Sequence, residues 1–286
     1  MICLACARRS ALLGALAPEI ERLGLDRWEL LGLLSLSEDR LLEVTSARAD
    51  LVRSLPLGDR EAGVCAHDPH YPPALRLSSS PPTALFLAGG SPARLSELLA
   101  RPVVAIVGSR HSTYYARDFS FALARDLVAA GITVLSGLSA GIEASAHHGA
   151  LSAAGATITV MAGGARVPSP PQHDRLYRSI VDEGLAISEL PPGFSRPQPW
   201  CYLARNRLIA AIAHAVVVVE AGERSGTLFT AELALRLGRE IGVLPGRASD
   251  ASAIGSNGLL RDGASLVLDA SDVIGLLGGA PSPLCA

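Results

Sequence analysis

Val103-Val104-Ala105-Ile106-Val107-Gly108-Ser109-Arg110 decides the fold. Five apolar, mostly β-branched residues run without interruption into a Gly-Ser turn, and a helical pattern follows over 113–130. The same unit recurs about thirty residues on. Ile132–Leu135 leads into Ser136-Gly137-Leu138-Ser139-Ala140-Gly141-Ile142, and a second helical pattern covers 142–154. Outward from this pair, further strand candidates lie at Thr83–Ala88, Thr157–Met161, Leu185–Ser188, Ala215–Val219, Ile241–Leu244 and Ser265–Val267. Helical patterns at 173–182, 203–213, 226–237 and 255–261 separate the later ones. Short, continuous apolar strands alternating with helices mark an α/β fold, a doubly wound, mostly parallel sheet covered on both faces. In such sheets ligands sit outside the carboxyl ends of the strands.

Residues 1–60 read differently. Trp28, Leu31, Leu34, Leu41 and Leu42 recur at helical spacing, and Ser37 is a helix start. The expectation is a small N-terminal helical domain. Its glycine-punctuated turns suit a helix-hairpin-helix or SAM-like module as well as a plain packing layer. The α/β domain is placed at 61–280, with a short tail at 281–286.

The composition restricts function. At 49% hydrophobic and 18% charged residues the chain has the makeup of a compact globular protein. Its formal charge of −2 excludes a broad basic surface, so any nucleic-acid site must focus positive charge locally. All 25 basic residues are arginine, which excludes a P-loop lysine and Schiff-base chemistry. Arg8-Arg9 ahead of Ser10–Ala17 imitates an export signal, but the apolar stretch is very short. A cytoplasmic protein with no membrane span is expected. Cysteines 3, 6, 65, 201 and 285 are too scattered for a disulfide framework. Cys3-Leu4-Ala5-Cys6 is a lone CxxC, and zinc would need Cys65 and His67 as well. The reading adopted is unpaired thiols with no metal.

The strand ends carry the chemistry. Gly108-Ser109-Arg110 follows one strand and Ser136-Gly137, with Gly141, follows the next. Glu220-Ala221-Gly222 and then Arg224-Ser225-Gly226-Thr227 follow 215–219, and Arg205-Asn206-Arg207 opens the 203–213 helix. Small residues let the backbone approach an anion, helix starts offer free N–H groups, and arginine grips phosphate bidentately. Residues 137–141 also match the G-x-S-x-G elbow of serine hydrolases. That reading lacks an acid and histidine in credible positions, so Ser139 is not taken as a nucleophile. Glu143 and His147 share metal-ligand spacing on one helix, but a packed histidine is the simpler reading.

These segments, in this order, resemble the DNA-processing protein A family, also called DprA or Smf. The resemblance rests on Tyr71-Pro72-Pro73-Ala74-Leu75, Ala105–Arg110, Ser136-Gly137-Leu138 with Gly141-Ile142, Ala204–Ile209, Ser225-Gly226-Thr227, Pro245-Gly246 and Gly255-Ser256-Asn257. It implies an extended Rossmann-like domain that binds single-stranded DNA, often as a homodimer. It further implies protection of incoming DNA and its delivery to a RecA-type recombinase in natural transformation. The DNA-binding set it implies is Gly108, Ser109, Arg110, Ser136, Gly137, Gly141, Arg205, Asn206, Arg207, Ser225, Gly226 and Thr227, with no catalytic residue and no cofactor. The chain departs from the family at Ala140, where a cationic residue is usual. The alternative is a nucleotide-processing, phosphoribohydrolase-like enzyme on a related fold, using Gly226, Thr227 and Glu232 around a nucleotide phosphate.

Overall fold

The computed structural model describes residues 1–47 and 63–278. The expected domain boundary near residue 60 and the tail at 281–286 lie outside the described residues.

Four short helices open the chain: α1 (Leu4–Ala15), α2 (Ala17–Arg22), α3 (Arg27–Leu34) and α4 (Glu38–Thr45). Asp26 and Glu29 form a capping box on α3, and Ser37 caps α4 as its position before Glu38 predicts. These helices share one core with the sheet layer. Leu12, Leu30 and Leu41 pack into the same buried cluster as Val103, Leu135 and Val216. The Trp28 ring meets Phe229 edge-on at 5.4 Å, and the Trp200 indole N–H donates to the Ala17 carbonyl at 3.1 Å. The first layer therefore packs directly on the second.

The sheet comprises β1 (Gly63–Cys65), β2 (Ala84–Ala88), β3 (Val103–Val107), β4 (Thr133–Ser136), β5 (Thr157–Val160), β6 (Leu185–Ser188), β7 (Ala215–Val218), β8 (Glu240–Val243) and β9 (Ser265–Leu266). Their order is β1-β2-β6-β5-β4-β3-β7-β8-β9. The seven strands from β3 to β9 are mutually parallel, while β2 joins β6, and β1 joins β2, antiparallel. β3 to β7 are buried at every position, which is why they read as continuous apolar runs rather than alternating ones.

Helices cover both faces. α7 (Tyr114–Ala129) and α8 (Ile142–Ser152) pack beside α13 (Ala270–Gly278), and α10 (Pro199–Ile212) and α11 (Gly226–Arg236) pack with the N-terminal helices. α9 (Asp174–Glu183) covers β5 and β6, and α12 (Ile254–Arg261) borders β8. Two further helices, α5 at Pro73–Arg76 and α6 at Pro92–Leu99, precede β3, and short 3-10 turns lie at Pro171–His173 and Ala251–Ala253. β3 is followed by β4 on one side and flanked by β7 on the other. The chain therefore reverses its direction of travel across the sheet between these two strands, which is where a doubly wound fold opens a crevice. Among the described residues no helix is long and apolar enough to cross a membrane.

Candidate nucleic-acid interface

The crevice is built by a hydrogen bond between the two strand ends. The Ser109 N–H donates to the Glu220 carbonyl at 2.8 Å. The Glu220 carboxylate then accepts from the Thr113 hydroxyl at 2.7 Å and from its N–H at 3.3 Å, fixing the start of α7. Gly141 holds the β4 loop against the β3 loop. Its φ is +79°, and an added Cβ would fall 2.4 Å from the Ser109 carbonyl. The Ile142 N–H donates to that carbonyl at 3.3 Å. Only glycine allows this approach at this φ.

The result is a cleft of about 740 Å³. Gly108, Ser109 and Arg110 line it from the end of β3, Arg224 to Thr227 from the loop and start of α11, and Tyr202, Arg205 and Asn206 from α10. Eight of the twelve expected DNA-binding residues line it: Gly108, Ser109, Arg110, Arg205, Asn206, Ser225, Gly226 and Thr227. Arg110 is exposed, and its guanidinium lies 4.7 Å from the Tyr202 ring centroid. Ser225 caps α11 by accepting from the Thr227 N–H at 3.2 Å, so the positive end of that helix opens on the cleft. Asn206 connects the walls. Its Oδ1 accepts from Arg205 Nε at 3.1 Å and its amide donates to the Gly226 carbonyl at 3.4 Å.

The other expected residues stand elsewhere. Ser136 is fully buried and donates to the Ile106 carbonyl at 2.5 Å. Gly137 leaves room for a side chain rather than a ligand, since a Cβ there would lie 1.1 Å from Arg205 Nη1. The expectation that Arg205 and Arg207 share the cleft is corrected. Residues two apart on a helix point roughly 200° from one another, so only one of the pair can face it. Arg207 faces the opposite side, buried. It donates to both Glu189 oxygens at 2.8 and 2.5 Å, to the Ser80 carbonyl at 2.9 Å and to the Ala204 carbonyl at 2.7 Å. Arg205 does reach the cleft wall, but its Nη2 is paired to the buried Glu143 at 2.9 Å. Burial works against the Glu143 carboxylate. Arg205 and the Ser139 N–H, at 2.7 Å, outweigh it and hold the carboxyl below its ordinary range.

Sequence reasoning passed over Arg224 as a site residue. It is exposed and lines the cleft from the loop before α11. The signal was present, since Arg224 directly precedes the Ser-Gly-Thr helix start. Tyr114 and Tyr115, 79% and 58% exposed on the first turn of α7, add ring faces beside the Gly-Ser-Arg turn. Arg117 stacks on Tyr114 at 4.5 Å. Three arginines against the single carboxylate of Glu143 make the cleft wall cationic in a chain of net charge −2.

The hydrolase elbow is dissolved by the same geometry. Ser139 faces Glu143, and His147 is committed elsewhere. His147 Nε2–H donates to the Gly137 carbonyl at 2.7 Å, and Nδ1 lies 2.9 Å from the Thr157 hydroxyl. Burial pushes the His147 pKa down to about 4, against the pull of that carbonyl bond. A folded pKa below the unfolded value of about 6.5 gives stability that is complete above pH 6.5 and lost as pH falls toward about 4. The loss amounts to about 3 kcal/mol. We expect the pH profile of urea unfolding for His147→Gln to lie flat relative to the parent between pH 6.5 and 4.5. Glu143 sets in only further down, as pH falls through its lowered pKa. Parallel profiles for the two proteins would contradict the assignment.

A mostly parallel sheet with an arginine-lined cleft at its switch point defines a Rossmann-like α/β protein. The chain belongs to the family of DNA recombination-mediator protein A, whose model matches residues 63–278. A DNA processing protein DprA of Mycobacterium tuberculosis is 42% identical over 197 residues, 69% of this chain and 50% of that protein. This chain thus spans about half the length of the first curated relatives it matches. The X-ray structure of DNA processing protein A from Streptococcus pneumoniae superposes with a TM-score of 0.74 at 28% identity, covering 93% of this chain and 97% of that one. The protein from Helicobacter pylori, described by its single-stranded DNA binding mode, superposes with a TM-score of 0.66 at 30% identity. It covers 74% of this chain and 94% of that one.

Proposed function

We propose that this chain binds single-stranded DNA across the β3/β7 cleft, as a non-catalytic mediator that shields the strand and passes it to a RecA-type recombinase. The observation that carries the reading is the pair of exposed arginines, Arg110 and Arg224, that line one cleft together with the α11 N-terminus. Phosphate contacts of this kind hold a strand in register without reading bases. Tyr202, Tyr114 and Tyr115 supply faces on which unpaired bases stack, at about 1–3 kcal/mol per base. Of the described residues lining the cleft, Glu143 is the sole carboxylate, and Arg205 occupies it. Glu232, the acid a nucleotide-processing enzyme would need here, pairs instead with Arg27 and Arg236 outside the cleft.

Assembly as a homodimer belongs to the same proposal. The exposure of Leu266, Leu268 and Ile274, each 43–58%, supports the β9 end of the sheet as the face for a second copy. Light scattering at tens of micromolar, where about −6 to −7 kcal/mol of association shows, reads two chains if this is right and one if it is not. The test of binding is a fluorescence-anisotropy titration with labelled oligo-dT and with duplex of equal length. Oligo-dT should bind and duplex should compete poorly. Equal affinity for duplex would refute the strand preference. Failure to bind DNA, with release of free base from nucleoside monophosphates, would replace the proposal with the enzyme.

A further inference from the structure

Cys3 and Cys6 stand at the start of α1, and Cys65 and His67 stand at the end of β1 and in the turn after it. More than fifty residues of chain separate the two pairs, yet the fold brings all four ligand atoms within 4.8 Å of one another. The His67 Nδ1 atom is 3.6 Å from Cys3 Sγ, 3.6 Å from Cys6 Sγ and 4.0 Å from Cys65 Sγ. Zinc bonds of about 2.3 Å to sulfur and 2.1 Å to nitrogen, at tetrahedral angles, place sulfur and nitrogen roughly 3.6 Å apart. Two of the three nitrogen–sulfur distances equal that spacing at 3.6 Å, and the third, to Cys65, is 4.0 Å. A disulfide between any two of these cysteines would use two of the four groups and leave the other two converged for no reason.

We propose that Cys3, Cys6, Cys65 and His67 bind one structural zinc ion. Four protein ligands close the coordination sphere, so the site holds the fold and performs no chemistry. The surroundings suit three thiolates around a dication. The Cys3 N–H donates to Cys65 Sγ at 3.5 Å. Cys3 is also the N-cap of the twelve-residue α1, at the positive end of its dipole. Ile2, Ala84 and Phe86, all fully buried, pack against Cys6 and Cys65 and exclude water from one side. The turn carrying His67 is fixed by the Asp68 N–H donating to the Cys65 carbonyl at 2.8 Å and by Arg76 bonding the Ala66 carbonyl at 2.5 Å. The ion would clamp the helical layer to β1, a three-residue strand at the edge of the sheet, where few ladder bonds hold it. This site lies apart from the β3/β7 cleft, so its fate and that of the DNA-binding reading are independent.

The full chain, expressed untagged with zinc in the medium, should carry one zinc per chain by elemental analysis. Cobalt substitution should give the intense visible bands of tetrahedral thiolate coordination. Cys65→Ser should lose the metal, while Cys201→Ser, a buried free thiol outside the cluster, should keep all of it. If Cys65→Ser does not fold, the parent decides alone. Chelation should then strip one zinc, expose three additional thiols to a thiol reagent, and lower the melting temperature. Parent protein that, once reduced, neither carries zinc nor takes up added Zn²⁺ overturns the proposal, as does equal zinc loss from Cys201→Ser.

Discussion

Arg207→Ala loses about 3–5 kcal/mol of unfolding free energy, enough to remove a large part of a typical domain's stability. The guanidinium and the Glu189 carboxylate are 4% and 7% exposed, and they meet through two charge-assisted bonds. Truncating the arginine leaves a carboxylate buried without its partner, and the Ser80 and Ala204 carbonyls without their donors. The cost arises from the abandoned charge rather than from the worth of the pair. Arg207→Met combined with Glu189→Leu should therefore recover most of the loss. Urea unfolding of the parent, the single variant and the double variant reads all three. An Arg207→Ala protein of parental stability that no longer binds DNA would return this arginine to the binding site.

Gly137→Ala should be nearly as damaging, although it adds one methyl group. The new Cβ would occupy the position of Arg205 Nη1, 1.1 Å away, and the guanidinium would have to leave. It would abandon Glu143 in the interior, a residue 5% exposed, and release the Val160 carbonyl. The expected loss is again about 3–5 kcal/mol, the cost of breaking a buried pair from one side. Gly137→Ala made in an Arg205→Ala background should add little, because the clash then has no object. Additive losses in that pair of variants would show that Gly137 does not owe its identity to Arg205.

The parallel strands β3 to β7 were legible in the sequence because each is buried on both faces and reads as an apolar run. β2 was legible too, but not its antiparallel pairing with β6, and β1 is too short, at three residues, to carry a period. The cleft was legible through the rule that ligands sit at strand ends. Which arginine serves it was not. Arg205 and Arg207 look equivalent in a string of residues, and their opposite directions matter only once α10 is oriented by Glu143 on one side and Glu189 on the other. Those acids lie 62 and 18 residues away, and no local pattern marks them as partners. The meeting of Cys3 and Cys6 with Cys65 and His67 is hidden for the same reason, since it exists only when α1 is laid against β1.

The central claim is that the exposed arginines of the β3/β7 cleft hold the phosphates of a single strand, and the salt dependence of oligo-dT binding tests it most directly. Arg110→Ala should bind oligo-dT less tightly by about 1–3 kcal/mol, the range of a charge-assisted contact. Its slope of log K against log salt should be shallower by roughly 0.7, the single-strand value for one phosphate. Arg224→Ala should behave alike. Arg94→Ala, whose guanidinium pairs with Glu97 at 2.8 Å on α6 outside the cleft, should match the parent in both quantities. An Arg110→Ala protein with parental affinity and a parental slope would contradict the claim.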